Sequence, residues 1–422
     1  MANAASALEA ARAEAFALPL DAINVAQPAL CPADAHWTDF ERLRRDDPIH
    51  FCAEHDYGPY WSITRYNDIM AVDTNHQVFS SASGLGGITI AGGSGIVEDE
   101  PLRMFISMDP PKHDVQRKAV SPVVAPANLQ RLASIIRERA AACLDDLPIG
   151  ETFDWVDRVS VELTTQMLAT LFDFPFAERR KLTRWSDVTT AIPGFGIVDT
   201  LEQKSQEMRE CFAYFADLWN QRVNAPPAGD LISMMAHAPA TRNIDPKEYY
   251  GNVMLLIVGG NDTTRNTLSG SVLAMHQNPA ERAKLDADHG LLPGMVSETI
   301  RWQTPLAHMR RTAVADIELQ GKLIRAGDKV VMWYVSGNRD DRVIADPDRY
   351  LIDRERPRTH LSFGFGIHRC LGNRLAELQL QIVWEEILKR FPVIEVVGEP
   401  KRVYSTFVKG YETLPVVIPR RH

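Results

Sequence analysis

Cysteine is scarce in this chain: five in 422 residues, at Cys31, Cys52, Cys143, Cys211 and Cys370, far apart and none in a C-x-x-C pair. Such scatter excludes a disulfide framework and a clustered thiolate metal site, and it fits a reducing cytoplasm. Positive charge is also short. Against 55 Asp and Glu there are 46 Lys and Arg, a net charge of −9, which argues against nonspecific nucleic-acid binding. Long apolar runs are missing: the longest, Val253 to Val258 and Val330 to Val335, fall far short of the roughly 20 residues of a bilayer helix. The stretch Met1 to Leu20 is alanine-rich, interrupted by Glu9, Arg12 and Glu14, and has neither a signal-peptide layout nor a membrane anchor. No internal repeat and no low-complexity linker is present. Nor is there a dinucleotide fingerprint, because Gly92-Gly93-Ser94-Gly95 lacks the strand-to-helix context that one requires.

What is present is ordinary for a globular protein, with 45% hydrophobic and 24% charged residues. Length alone is compatible with two or three domains or with one large one. From Pro48 to Thr64, alternating aromatic and β-branched residues around Gly58-Pro59 predict a strand pair, and Arg65 to Val78 a short helix. Ser80 to Gly95 is a long glycine-rich loop, a kind that is often functional. Helices follow at Pro126 to Leu147, Trp155 to Leu171, Ala177 to Val188 and Leu201 to Val223. The apolar Pro/Gly connection Ala191 to Val198 breaks the series. Asp245-Pro246 opens a long helix, with a capping acid and proline in its first turn, that runs to Asn278-Pro279.

The stretch that organises the chain is Phe363-Gly364-Phe365-Gly366-Ile367-His368-Arg369-Cys370-Leu371-Gly372. Apolar residues at Leu371, Leu375, Leu378, Ile382 and Leu388 follow a helical period, so Cys370 stands at a helix entrance. Free N–H groups and the positive end of the dipole there favour a thiolate. Gly364, Gly366 and Gly372 leave room for a large planar body. The combination suits an axial ligand to haem iron, where sulfur pushes electron density onto the metal to favour O–O cleavage. A buried structural cysteine, a zinc ligand and a nucleophile are the other uses of a lone cysteine. Zinc would need about four ligands, and His368 with Cys370 has no matching pair.

Phe363-Gly364-x-Gly366-x-His368-x-Cys370-x-Gly372 resembles the haem-binding signature of the cytochrome P450 superfamily. Gly259-Gly260-Asn261-Asp262-Thr263-Thr264, in the middle of the long helix, is similar to the oxygen-groove signature of the same family. Two mid-helix glycines cost about 1 kcal/mol each relative to alanine. A threonine bonding back to a carbonyl one turn earlier would distort the helix and open a groove. The resemblance implies a single-domain fold, mainly α with a small β-rich lobe, over residues 36–422 after an N-terminal extension of residues 1–35. It implies haem b with Cys370 as metal ligand, framed by Gly259, Phe363 and Gly372. His113, Arg117, Arg311 and His368 are then the propionate partners. Arg311 is the match because it precedes Asp316 by five residues, and Arg310 should point the other way in an extended segment. Glu298 and Arg301 are implied as a structural pair completed by Arg339 or Arg354. Asp262 and Thr263 are implied as the catalytic acid–alcohol pair.

The implied activity is that of a monooxygenase acting on unactivated C–H bonds of a hydrophobic substrate with O2. Electrons would come from a ferredoxin and its reductase, with Arg117, Lys118, Arg369 and Arg374 as basic docking residues. The run His360 to Glu377 and the form of the oxygen groove resemble the bacterial branch that hydroxylates terminal carbons of alkanes and fatty acids. Leu256, Ile257, Val258, Leu306 and Phe407 are expected to line the pocket. The loop Ser80 to Gly95, the connection Ala191 to Val198 and the turn Ser405 to Gly410 should overlie it. A terpene or steroid hydroxylase is the other substrate reading. A peroxygenase or a haem sensor would not need Asp262 and Thr263.

Overall fold

The helix Pro246–Gln277 is the axis of the molecule. Asp245 caps it, its carboxylate accepting from the Lys247 N–H at 2.8 Å, and Pro246 occupies the first turn, where its missing N–H costs nothing. Almost every side chain from Asn261 to Met275 is buried, so the helix is enclosed on all sides. Around it pack the helices Glu162–Phe172, Arg180–Thr190 and Leu292–Gln303. The computed structural model describes residues 2–27, 37–92, 96–97 and 100–422.

Two large cores flank this axis. One joins Trp155, Trp384, Tyr350 and Phe391 with the helix Asn373–Arg390, which also runs along Pro126–Asp145. The other is aromatic, with Phe172, Phe174, Trp185, Phe212 and Phe215. The helix Leu201–Val223 supplies two of these rings. The residues expected to form one helix from Trp155 begin instead as a wider π-type turn at Val156–Val161 before Glu162–Phe172.

The β-rich lobe is a five-stranded sheet in the order Ile49–Cys52, Tyr60–Ile63, Lys329–Met332, Met309–Ala313, Phe79–Ser80. The expected strand pair is there, with Ile49 opposite Ile63 and Cys52 opposite Tyr60. The helix Tyr66–Thr74 follows it directly. The fold is thus a mainly helical single domain with small sheets, as the sequence implied. The boundary expected between residues 35 and 36 lies outside the described residues, as do positions 93–95 of the glycine-rich loop. The helix Ala2–Ala17 lies on the helix Trp37–Asp46, where Arg12 pairs with Glu41 at 2.6 Å and Arg42 donates to the Phe16 carbonyl at 2.6 Å. No helix among the described residues is long and apolar enough to cross a membrane.

Candidate functional site

A cavity of about 450 Å³ lies against the central helix. One wall is the loop before Asn373–Arg390, where Phe363, Gly364, His368, Cys370, Leu371 and Gly372 all face it. The loop closes on itself: the Cys370 N–H donates to the Phe363 carbonyl at 2.7 Å. Gly364 and Gly366 have φ of +63° and +65°, a left-handed backbone that other residues adopt only with strain. A Cβ on Gly366 would meet the Asp73 carbonyl at 2.6 Å, and Gly366 does not line the cavity. Its small size therefore lets the loop close on the end of helix Tyr66–Thr74, which corrects the expectation that all three glycines make room for a ligand.

The surface of Cys370 opens on this cavity. Burial pushes its thiol above the ordinary value, while N–H groups at Gly372 and Asn373 and the charges of Arg117 and Arg369 pull it down. Burial wins. The N–H groups of the helix entrance still favour the thiolate as expected, and a bound metal cation would favour it further.

Beside the cysteine stand four groups suited to anionic carboxylates. His113 and Arg117 share one face of the helix Lys112–Val120. The His113 and His368 rings are 4.5 Å apart, edge to face. Nε2 of His113 and both ring nitrogens of His368 are buried without a hydrogen-bond partner. Burial, then Arg311, holds His368 well below its usual pKa, a balance that a nearby anion would reverse. Arg311 lines the cavity and is held by Asp73 at 2.8 Å. Asp73 also accepts from the Tyr334 hydroxyl at 2.8 Å and the Phe365 N–H at 2.7 Å. Arg310 points away, donating to the Leu85 and Gly86 carbonyls. His113 is outside the described cavity lining and packs behind His368; the orphaned His368 imidazole, two arginines and a thiol on the cavity itself fit a flat dianionic group with a metal centre.

The central helix passes the cavity through Gly259, Gly260, Thr263 and Thr264. A Cβ at Gly259 would meet nothing within 4 Å, whereas one at Gly260 would meet Leu168 at 2.8 Å. Gly259 thus opens the cavity and Gly260 is a packing notch. The Thr263 hydroxyl donates to the Gly259 carbonyl at 2.8 Å. The helix is continuous there, and the side chain absent at Gly259 opens the space.

Asp262 lies off the cavity, absent from its described lining, and turns into a polar cluster, accepting from Ser186 at 3.0 Å, Asn261 at 3.0 Å and Arg265 at 3.1 Å. Its second oxygen has no partner. Burial raises its pKa to about 6 against the opposing charge of Arg265. Ile257 is a correction to the expected lining. Leu256, Val258, Leu306 and Phe407 line the cavity, but Ile257 is fully buried in the aromatic core. Successive helical residues turn by about 100°, and Ile257 falls on the face turned to the aromatic core, while Leu255 lines the wall.

Glu298 and Arg301 are both fully buried and form a two-pronged pair with both contacts at 2.7 Å. Arg354 completes it at 2.9 Å; Arg339 pairs with Asp348 instead. Arg301 also donates to the Asn338 carbonyl, and the Asn338 side chain holds the Leu361 N–H at 2.6 Å and Ser362 at 2.9 Å. The pair thereby reaches the start of the cysteine loop.

His308, not singled out from the sequence, also lines the cavity. It accepts from the Ile90 N–H at 3.1 Å and faces the Thr406 carbonyl at 3.0 Å, tying the glycine-rich loop to the Ser405–Phe407 turn. A histidine in the run that holds Arg311 was the available signal.

The sequence matches the family described as Cytochrome P450 over residues 42–413. It is 34% identical over 385 residues to linalool 8-monooxygenase of Pseudomonas putida, covering 90% of this chain and 94% of that one. It is 32% identical over 393 residues to a methyl-branched lipid omega-hydroxylase of Mycobacterium bovis, covering 89% and 90%. Among solved structures, CYP153D17 from Sphingomonas sp. PAMC 26605 is 48% identical with a TM-score of 0.88, over 95% of this chain and 100% of that one.

Proposed function

The chain belongs to the cytochrome P450 family, and from that premise we propose that it hydroxylates the terminal carbon of a medium-chain alkane or fatty acid. It is an oxygen-incorporating oxidoreductase whose haem iron carries a cysteine ligand. In our reading Cys370 is that ligand, with His113, Arg117, Arg311 and His368 on the propionates. When bound, the haem supplies the activation of O2 that no amino-acid side chain provides.

The chain's own residues do the rest. Leu255, Leu256, Val258, Leu306 and Phe407 give an apolar lining that excludes water and holds an alkyl chain. This lining, closing over both Cys370 and Thr263, is the observation that carries the reading. Thr263 lines the cavity with its hydroxyl bonded to the Gly259 carbonyl, and Asp262, with a pKa near 6, holds or releases a proton close to neutrality. Because the carboxyl lies off the cavity, its role is to feed protons across the helix to the hydroxyl.

Electrons arrive from a ferredoxin and its reductase, for which exposed Lys118, Arg369 and Arg374 offer positive charge. A cytoplasmic setting suits the four described cysteines, all free. The test is turnover of the haem-loaded enzyme with ferredoxin, reductase and reduced nicotinamide on dodecane, dodecanoate and linalool. Terminal alcohols are expected. A terpene hydroxylase is the second reading, favoured by the linalool 8-monooxygenase relative, and oxidation of linalool alone would establish it. Product formed solely with added peroxide would overturn both.

A further inference from the structure

We propose that Lys204 anchors the carboxylate head of the substrate, so that the chain the cavity takes is a fatty acid. The inference rests on the alkyl-chain reading above and narrows it.

Lys204 belongs to the helix Leu201–Val223 and lies on the cavity wall beside Thr189, Thr190, Ala191 and Ile192. Its ammonium donates to the Thr189 carbonyl at 2.9 Å and the Ala191 carbonyl at 2.8 Å. An ammonium has three N–H donors, so one remains. No carboxylate among the described residues pairs with it, and burial lowers its pKa with no anion to oppose the shift. Among the described residues, three positively charged side chains line the cavity: Arg117, Arg311 and Lys204. The two arginines stand with His113, His368 and Cys370. Lys204 stands apart, where the helix Arg180–Thr190 gives way to the apolar connection. No Asp or Glu is among the described lining residues.

A desolvated cation with a spare donor, facing an otherwise apolar space, favours one ligand chemistry: an anionic head on an apolar tail. With the head at Lys204, the tail extends into the lining of Leu255, Leu256 and Val258. Its far end is then the part free to approach the Thr263 side. A plain alkane would leave the charge uncompensated.

The experiment is a titration of the haem-loaded enzyme at about pH 8, where a carboxylate is ionised, reading the substrate-induced shift of the haem absorption. The ligands are dodecanoate, dodecanamide and dodecane. Wild type should bind dodecanoate more tightly than dodecanamide. Lys204→Met should weaken dodecanoate roughly 10- to 100-fold, the worth of a charge-assisted hydrogen bond, while dodecane stays within about twofold, and Lys204→Arg should restore most of the loss. Equal affinity of wild type for dodecanoate and dodecanamide overturns the anchor without recourse to any variant. So does a Lys204→Met variant that weakens all three ligands alike, which would make Lys204 only a cap on the preceding helix. In either case terminal oxidation of dodecane leaves the wider reading standing. If wild type binds none of the three but binds linalool, both readings fall together.

Discussion

At Cys370 two effects oppose each other, and their balance sets the chemistry. Burial holds the proton on sulfur, while neighbouring N–H groups and arginines favour its loss. Ligand deprotonation is thus coupled to metal binding, and haem uptake should release a proton. The reduced carbon monoxide complex should show the strongly red-shifted Soret band of thiolate ligation, and Cys370→His should abolish it; a normal band in that variant would sink the assignment. Arg311 is a subtler case because it already holds Asp73. Arg311→Ala strands a buried carboxylate, at a cost on the order of 1–3 kcal/mol or more, as well as removing a propionate partner. A double variant with Asp73→Asn separates the two effects. It should recover the stability of the haem-free protein in a thermal melt but still lose haem faster to an apo-globin acceptor. Haem retention equal to wild type in both variants would count against the role of Arg311.

Among elements, the helix Leu292–Gln303 does most to set the cysteine loop. Glu298 accepts from Arg301, Arg354 and the Leu351 N–H at a site with no solvent exposure. Glu298→Gln should cost about 3–5 kcal/mol in denaturant unfolding, because it leaves buried arginine charge uncompensated; a loss below about 1 kcal/mol would show that the network is dispensable. On the central helix, Thr263→Ala should bind haem and substrate normally yet divert electrons to peroxide. Alcohol yield per electron within about twofold of wild type would reduce the helix centre to packing. The long helices were legible because they carry their own punctuation: Asp245-Pro246 opens one and Asn278-Pro279 closes it, and Leu201–Val223 has the bounds read from its pattern. Side-chain direction was not. Whether Asp262 faces the cavity or Ser186, and whether Arg354 or Arg339 reaches Glu298, depends on neighbours 76 and 56 positions away or on a rotation of one residue. Lys204 left no pattern, and His308 only its place in the run that holds Arg311, because a single polar residue in a helix or an extended run has no period.

For the whole molecule, buried titratable groups of opposite sense shape acid stability. His308 and His360 are pushed down to about 4 and about 3 by burial. Each binds fewer protons folded than unfolded, so the stability they contribute is complete above about pH 6.5 and is lost as pH falls through that window. Asp262, raised to about 6, works the other way: its contribution is complete below the ordinary carboxylate value and is lost as pH rises through 6. His308→Gln should therefore flatten the fall in stability between about pH 6.5 and pH 4 by roughly 3 kcal/mol, since each unit is worth about 1.4 kcal/mol. Parallel melting curves for variant and wild type across that range would contradict it. The ties that His308 and its neighbours make have one more result. The glycine-rich loop and the C-terminal turn are held by main-chain atoms: the Leu85, Gly86 and Ile88 carbonyls, the Ile90 N–H, and the Thr406 and Phe407 carbonyls. The side chains of Ile88, Ile90, Thr406 and Phe407 carry none of those bonds, yet they face the cavity. Selection, natural or in a library, can rewrite them to suit a new tail shape while the scaffold keeps its grip. Gly86 is the exception: its φ of +105° strains any side chain, and a Cβ there would sit 2.1 Å from the Arg310 guanidinium and displace it, so the freedom of the neighbouring positions rests on one that changes only at the cost of the loop's own tie.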